Sequence, residues 1–221
     1  MTASFRPWAL AFSVGGAGLG AVWSSSSAQA KAAPNLTFAM TARVFYKDGA
    51  SSAPAQTINA QVWLSGRKAR MDTTISGRPL RLLFTPPFAY RLLTASKVGR
   101  KFRASSLPGM SSIMPGNEGL SPDPNTIRAA LINGGARKTG SATIGGEVLD
   151  VFSSSHFRNR PDRVKAFLRR SDALPVRVEI DSKNFSAIAS WRNYQKPSSL
   201  SPTLFAVPPG FRIREGAPGE S

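Results

Sequence analysis

Apolar residues recur at every second position of this chain, interrupted at short intervals by glycine, proline and asparagine, and that pattern leaves little choice but a β-fold. Leu36, Phe38, Met40, Ala42, Val44 and Tyr46 alternate with Thr37, Ala39, Thr41, Arg43 and Phe45, so each set lies on one face of a strand. Lys47-Asp48-Gly49 starts a loop. Ile58, Ala60, Val62 and Leu64 alternate in the same way, and Ser65-Gly66 turns into a returning strand over 67–75. Ser76-Gly77 turns again into 80–84. After Pro86-Pro87, residues 88–94 and 98–103 read as two more strands. Links this short cannot hold a crossover helix, so the meander is antiparallel.

Strands return in the second half. Residues 138–144 and 147–154 flank Gly145-Gly146, a hairpin turn. The stretches 163–170, 176–181 and 186–195 alternate, and Ser201-Pro202-Thr203-Leu204-Phe205 reads as a single capped turn. Val207-Pro208-Pro209-Gly210-Phe211 closes the domain, and 216–221 is a polar tail. About ten strands are too many for one flat sheet, so curvature toward a barrel is expected. Between the halves, Asp123 is a candidate N-cap and Pro124 suits the first helical position. Gly134-Gly135 ends the pattern, with Ile127, Ala130 and Leu131 on one face. A helix is predicted over 124–133. Before it, residues 104–122 are rich in Ser, Pro and Gly yet carry Leu107, Met110, Ile113 and Met114. A loop of this length in a compact domain is usually functional or disordered, and one with several large apolar side chains implies something for them to cover.

The first thirty residues carry an address. One charge, Arg6, precedes an apolar or small run from Trp8 to Trp23; Ser24 to Ser27 and then Ala28-Gln29-Ala30 follow, a small-x-small site before Lys31. That order predicts a secretory signal peptide cut after Ala30, with the mature chain starting at Lys31. An uncleaved anchor fits less well, because the run is shorter than the roughly 20 residues a spanning helix needs. Residues 31–215 are then one domain, and export to the periplasm as a soluble protein is expected. The chain has no cysteine, which excludes disulfides, thiol chemistry and zinc-thiolate sites. Its net charge is +17, of which Arg6 carries one, leaving +16 for the mature part. The basic residues are spread along the chain. A solubilising role and attraction to an anionic membrane surface are both open. Nucleic acid is not expected as a partner, because no recognition motif is present.

No catalytic constellation emerges. His156 is the single histidine; Ser153, Ser154 and Ser155 precede it, but no nucleophile-elbow motif occurs, and a surface histidine at a strand end is the expectation. Glu179 and Asp181 share a strand face without the opposed geometry that glycosidase chemistry needs. With one histidine and no cysteine, no metal or other cofactor is expected. The apolar residues say more. Met40 and Met71 suit ordinary core packing, and the methionines as a set suit an adaptable apolar cavity.

An ordered series of short motifs resembles the periplasmic lipoprotein-carrier family, the LolA/LolB-like proteins. Gly140 to Val151, containing Gly145-Gly146-Glu147, is similar to that family's central hairpin, and Val164-Lys165-Ala166-Phe167-Leu168 to its next strand. Leu174-Pro175-Val176-Arg177-Val178-Glu179 is similar to its Leu-Pro-x-x-x-Glu strand. Asn193-Tyr194, then Leu204-Phe205 and Val207-Pro208-Pro209-Gly210-Phe211, resemble its closing signature, and Lys68-Ala69-Arg70-Met71-Asp72 its Gly-x-Lys-x-Arg-x-Asp strand. The resemblance spans about residues 36–213. It implies a mainly β, half-open antiparallel barrel whose concave side is closed by a short helix and loop. It also implies that acyl chains of a lipid or lipoprotein bind in that apolar concavity. The residues expected there are Phe38, Met40, Met71, Leu107, Met110, Ile113, Met114, Ile127 and Leu131. No lipobox cysteine marks an outer-membrane acceptor. The expectation is a monomeric, non-enzymatic carrier. An envelope sensor or protein-interaction module on the same fold is the first alternative, and an envelope hydrolase, for which only His156 speaks, the second.

Overall fold

The computed structural model describes residues 35–47, 54, 56–75, 77–103 and 124–216. In chain order these form β1 (Leu36–Tyr46), β2 (Gln56–Ser65), β3 (Lys68–Ile75), β4 (Arg78–Thr85), β5 (Phe88–Leu93) and β6 (Val98–Arg103). The helix α1 (Pro124–Asn133) follows, then β7 (Arg137–Ile144), β8 (Glu147–Ser154), β9 (Arg163–Arg169), β10 (Pro175–Asp181), β11 (Phe185–Gln195) and β12 (Arg212–Glu215). Short 3-10 helices, Phe157–Asn159 and Pro202–Phe205, link β8 to β9 and β11 to β12.

The strands join one sheet in the order β12-β6-β5-β4-β3-β2-β1-β11-β10-β9-β8-β7. The sheet does not close, because β12 and β7 are its two edges. The protein is therefore mainly β, a half-open barrel with one helix among the described residues. The chain turns where the glycines allow it: Gly145 and Gly146, with φ of 59° and 82°, make the tight β7–β8 turn that residues with a Cβ rarely adopt.

One strand was not legible in the pattern. Arg212–Glu215 lies between the closing segment Val207–Phe211 and the polar tail, where no strand is expected, yet it pairs with β6, and in parallel, with Arg212 opposite Val98 and Glu215 opposite Lys101. Four residues with one apolar side chain carry no periodic signal. Gly99 makes the pairing possible, since a Cβ there would lie 2.5 Å from Leu92 and 2.7 Å from Ile213. An ion pair between Lys101 and Glu215, 3.1 Å long, joins the two strands.

The registers place the apolar sets on one face. Leu36, Phe38 and Met40 lie opposite Leu64, Val62 and Ala60; Leu64 and Val62 lie opposite Ala69 and Met71; Met71 lies opposite Leu82. On the other side of β1, Met40 lies opposite Trp191. These residues form one core with Val164, Ala166, Leu168, Leu174 and Val178 of the second half, and with Ile127 and Leu131 of α1. The core thus sits between the concave face of the sheet and the helix. The convex face is also covered over part of its width. Leu83 and Leu92 point away from the main core and are buried, and the Pro202–Phe205 turn packs on β3 and β4 with Phe205 buried.

Candidate ligand-binding concavity

Phe38, Met40, Met71, Ile127 and Leu131, five of the residues expected to line the concavity, meet in the larger of two core clusters among the described residues. Phe38, Met40, Ile127 and Leu131 are fully buried. The remaining expected positions, Leu107, Met110, Ile113 and Met114 of the loop and Ala30 and Lys31 at the cleavage site, lie outside the described residues, as does the expected N-cap Asp123.

The helix holds to the sheet through a small footprint. Ile127 and Leu131 are four apart, so they lie on one face, while Ile132 on the opposite side is half exposed. Its C-terminus is well defined. Ala136 N–H donates to Leu131 O at 2.9 Å and Gly135 N–H to Ile132 O at 3.0 Å, with Gly135 at φ 88°. This paired closure satisfies the last carbonyls and brings Ala136 beside Leu131 in the core. Gly134 permits a second anchor, because the Phe157 ring lies where its Cβ would be, 2.2 Å away at the nearest atom. Arg158 N–H also donates to Gly134 O at 2.9 Å. The end of α1 is therefore fastened to the β8–β9 connection, and its two apolar side chains rest on the concave face.

Two residues of the site carry features that the alternation does not give. Tyr194 follows Trp191 by three, so simple period two would turn it outward. A bulge intervenes: β1 advances from Thr37 to Ala39 while β11 runs from Gln195 back to Arg192, and Asn193 takes φ 58°. Tyr194 is thereby turned inward against Phe38, ring centroids 5.5 Å apart, and its hydroxyl donates to Pro175 O at 2.7 Å. Burial pushes the Tyr194 phenol far above its ordinary value, with Arg169 opposing weakly, so it stays a neutral donor. The second residue is Trp191. It shares the face of Met40 and is 4% exposed, and its Nε1–H meets no acceptor. The alternation 187, 189, 191 already placed it inward; the lack of an acceptor could not be read from the chain.

The convex side holds a charged knot. Arg81 grips Asp72 with two bonds of 2.8 and 2.9 Å, and Arg70 binds the same carboxylate while reaching Leu204 O at 3.5 Å. The Arg70 guanidinium stacks over Trp63, 4.6 Å from the ring centre. Burial pushes the Asp72 carboxyl up, but the hydrogen bonds and charges of the two arginines outweigh it and hold it below the ordinary value. This knot ties β3 and β4 to the C-terminal segment. It is the structural role of the Lys68-Ala69-Arg70-Met71-Asp72 motif.

The other candidates have plain surroundings. His156 is exposed just after β8, with its Nδ1 3.2 Å from Ser155 Oγ and its N–H donating to Ser154 Oγ. Glu179 pairs with Arg177 at 2.7 Å and Asp181 with Lys47 at 2.5 Å, which occupies both carboxylates with charge balance. No group of three or more His, Asp or Glu among the described residues is placed to hold a metal. No described helix is long and apolar enough to cross a membrane.

No family model matches this chain, and no curated protein matches it. Solved structures do resemble it. An uncharacterized conserved protein from Thermus thermophilus shares 12% identity at a TM-score of 0.48, covering 80% of this chain and 90% of that one. Lipoprotein LppX of Mycobacterium tuberculosis shares 12% at a TM-score of 0.44, covering 75% and 89%. The Pseudomonas aeruginosa MucA/MucB complex contains a chain with 12% identity and a TM-score of 0.42, covering 77% of this chain and 56% of that one.

Proposed function

We propose that this protein is an exported, non-enzymatic carrier that holds an acyl chain of a lipid or lipoprotein against the concave face of its half-open sheet. The helix α1 acts as the cover; residues 104–122, expected to share that role, lie outside the described residues. The observation that carries this reading is a continuous apolar face covered by a single short helix. The helix contributes two fully buried side chains, Ile127 and Leu131, while Leu82, Phe84 and Ile180 continue the apolar surface and are only partly buried. In the closed form described, protein side chains fill the concavity, so a ligand enters by displacing the cover. Burying a long acyl chain supplies about 0.8 kcal/mol per methylene, on the order of 10 kcal/mol before binding costs, enough to displace two aliphatic side chains. The motif series from Lys68 to Phe211 supports the same reading, since it resembles that of lipoprotein carriers.

A second reading has one observation in its favour. Ile144 and Val148 are exposed at the β7–β8 tip, beside the free edge of β7, which suits an envelope sensor or interaction module that contacts another protein. Native mass spectrometry of protein recovered from the exported fraction, with uptake of a fluorescent fatty-acyl ester by the purified protein, separates the two. A copurifying lipid and saturable uptake are expected. No lipid and no uptake overturns the carrier and leaves the interaction module.

A further inference from the structure

Three buried side-chain atoms among the described residues lack a hydrogen-bond partner: Arg169 Nε, Arg177 Nε and Trp191 Nε1. Two of them face charge. Arg169 Nε lies 3.2 Å from a Glu147 carboxylate oxygen and 3.3 Å from one of Asp172, and Arg177 Nε lies 2.7 Å from Glu179. Trp191 has no such neighbour. It lies opposite Met40 in the β1–β11 register, two residues from Ala189 on the same face, within the apolar core that also takes in Ile127 and Leu131 of α1. Other buried polar side chains there are satisfied: Thr73 donates to Asn59 O at 2.7 Å, and Tyr194 to Pro175 O. A desolvated donor without an acceptor is rare and costly, and phenylalanine would fill this position without that cost. Among the described residues of the concave core, the indole N–H is the buried polar group without a partner.

We infer that Trp191 Nε1–H is the polar anchor of the concavity, donating to the neutral carbonyl oxygen of an ester- or amide-linked acyl chain. This rests on the carrier reading above and narrows its ligand. A single uncharged donor in apolar surroundings matches a single uncharged acceptor. It does not compensate a free carboxylate, whose full charge would have to leave water for one hydrogen bond. A bare hydrocarbon fits the wall but leaves the donor as it is. The anchor therefore selects linked acyl chains over both free fatty acids and alkanes, and it fixes how deep the chain lies relative to β1 and β11.

The test uses the full chain and three probes of similar length: methyl decanoate, decanoate and dodecane. Binding is measured by titration, and the Trp191 indole cross-peak in proton–nitrogen spectra is assigned by its loss in Trp191→Phe. Methyl decanoate is expected to bind roughly five- to tenfold tighter than dodecane, the effect of one neutral hydrogen bond in place of an unpaired donor. It should also move the indole proton downfield, and dodecane should not. In Trp191→Phe the preference for the ester over dodecane should vanish. The ester-to-dodecane ratio and the cross-peak are both read on the natural protein, so the inference stays testable should Trp191→Phe fail to fold. Equal binding of ester and dodecane with an unmoved indole overturns the anchor and leaves the carrier standing. Binding of none of the three overturns both.

Discussion

If α1 is a cover, then weakening its seat should strengthen ligand binding. Leu131→Ala tests this. The Leu131 side chain is fully buried in the concave core, and shortening it removes about 2 kcal/mol or more of burial and packing. That loss falls on the closed arrangement, because Leu131 gives up the same contacts whenever the helix lifts. A change of about 2 kcal/mol raises the open fraction roughly thirtyfold. Apparent affinity for an acyl probe scales with that fraction until the open form predominates, so the dissociation constant should fall by up to about thirtyfold. Amide exchange over 127–135 should speed up by a similar factor. A residue that only lined the pocket would behave oppositely, since losing its contact weakens binding. The assay is titration of natural and variant protein with one fluorescent fatty-acyl ester, alongside exchange and a urea transition to confirm that the sheet remains folded. Weaker binding in Leu131→Ala, with the sheet intact, would refute the cover.

Gly134→Ala should destabilise the domain by about 1–3 kcal/mol, because the new Cβ would overlap the Phe157 ring; urea midpoints check this, and a neutral effect would show that the anchor yields freely. Asp72 has its folded-state pKa depressed, so its stabilising contribution is present above the ordinary carboxylate range near about pH 4 and is lost as pH falls through the lower folded value. Asp72→Asn should accordingly cost about 1 kcal/mol at neutral pH, kept small by the partial exposure of the knot, and the gap to the natural protein should close on acidification; a gap independent of pH would contradict it. N-terminal sequencing of the exported form should begin at Lys31, and a retained Met1 in a membrane fraction would contradict the signal-peptide reading. The +16 mature charge should give adhesion to anionic vesicles at low salt that is lost at high salt, read by co-sedimentation; adhesion unchanged by salt would argue against it.

Much of this molecule was written in local pattern. The alternation Leu36, Phe38, Met40 required a strand and named its buried face, and glycines at 66 and 145–146 marked hairpins that fix register through the chain's own short links. Pro124 and Gly134-Gly135 bounded the helix for the same reason: each acts through its own backbone. These features depend on neighbours a few residues away, so the chain alone specifies them. What depended on distant partners was decided by the tertiary structure. Arg212–Glu215 is a strand only because the β6 edge, over a hundred residues earlier, is free to pair with it and Gly99 lets Ile213 approach. Leu83 and Leu92 are buried on the face that alternation would leave to solvent, in a half of the sheet where the C-terminal segment folds back over β3 and β4. Tyr194 turns inward through a bulge that only the mismatch of β1 and β11 reveals. Period two says which residues share a face. It does not say what covers that face, or whether a donor such as Trp191 Nε1 finds an acceptor there, because both depend on where the rest of the chain comes to lie.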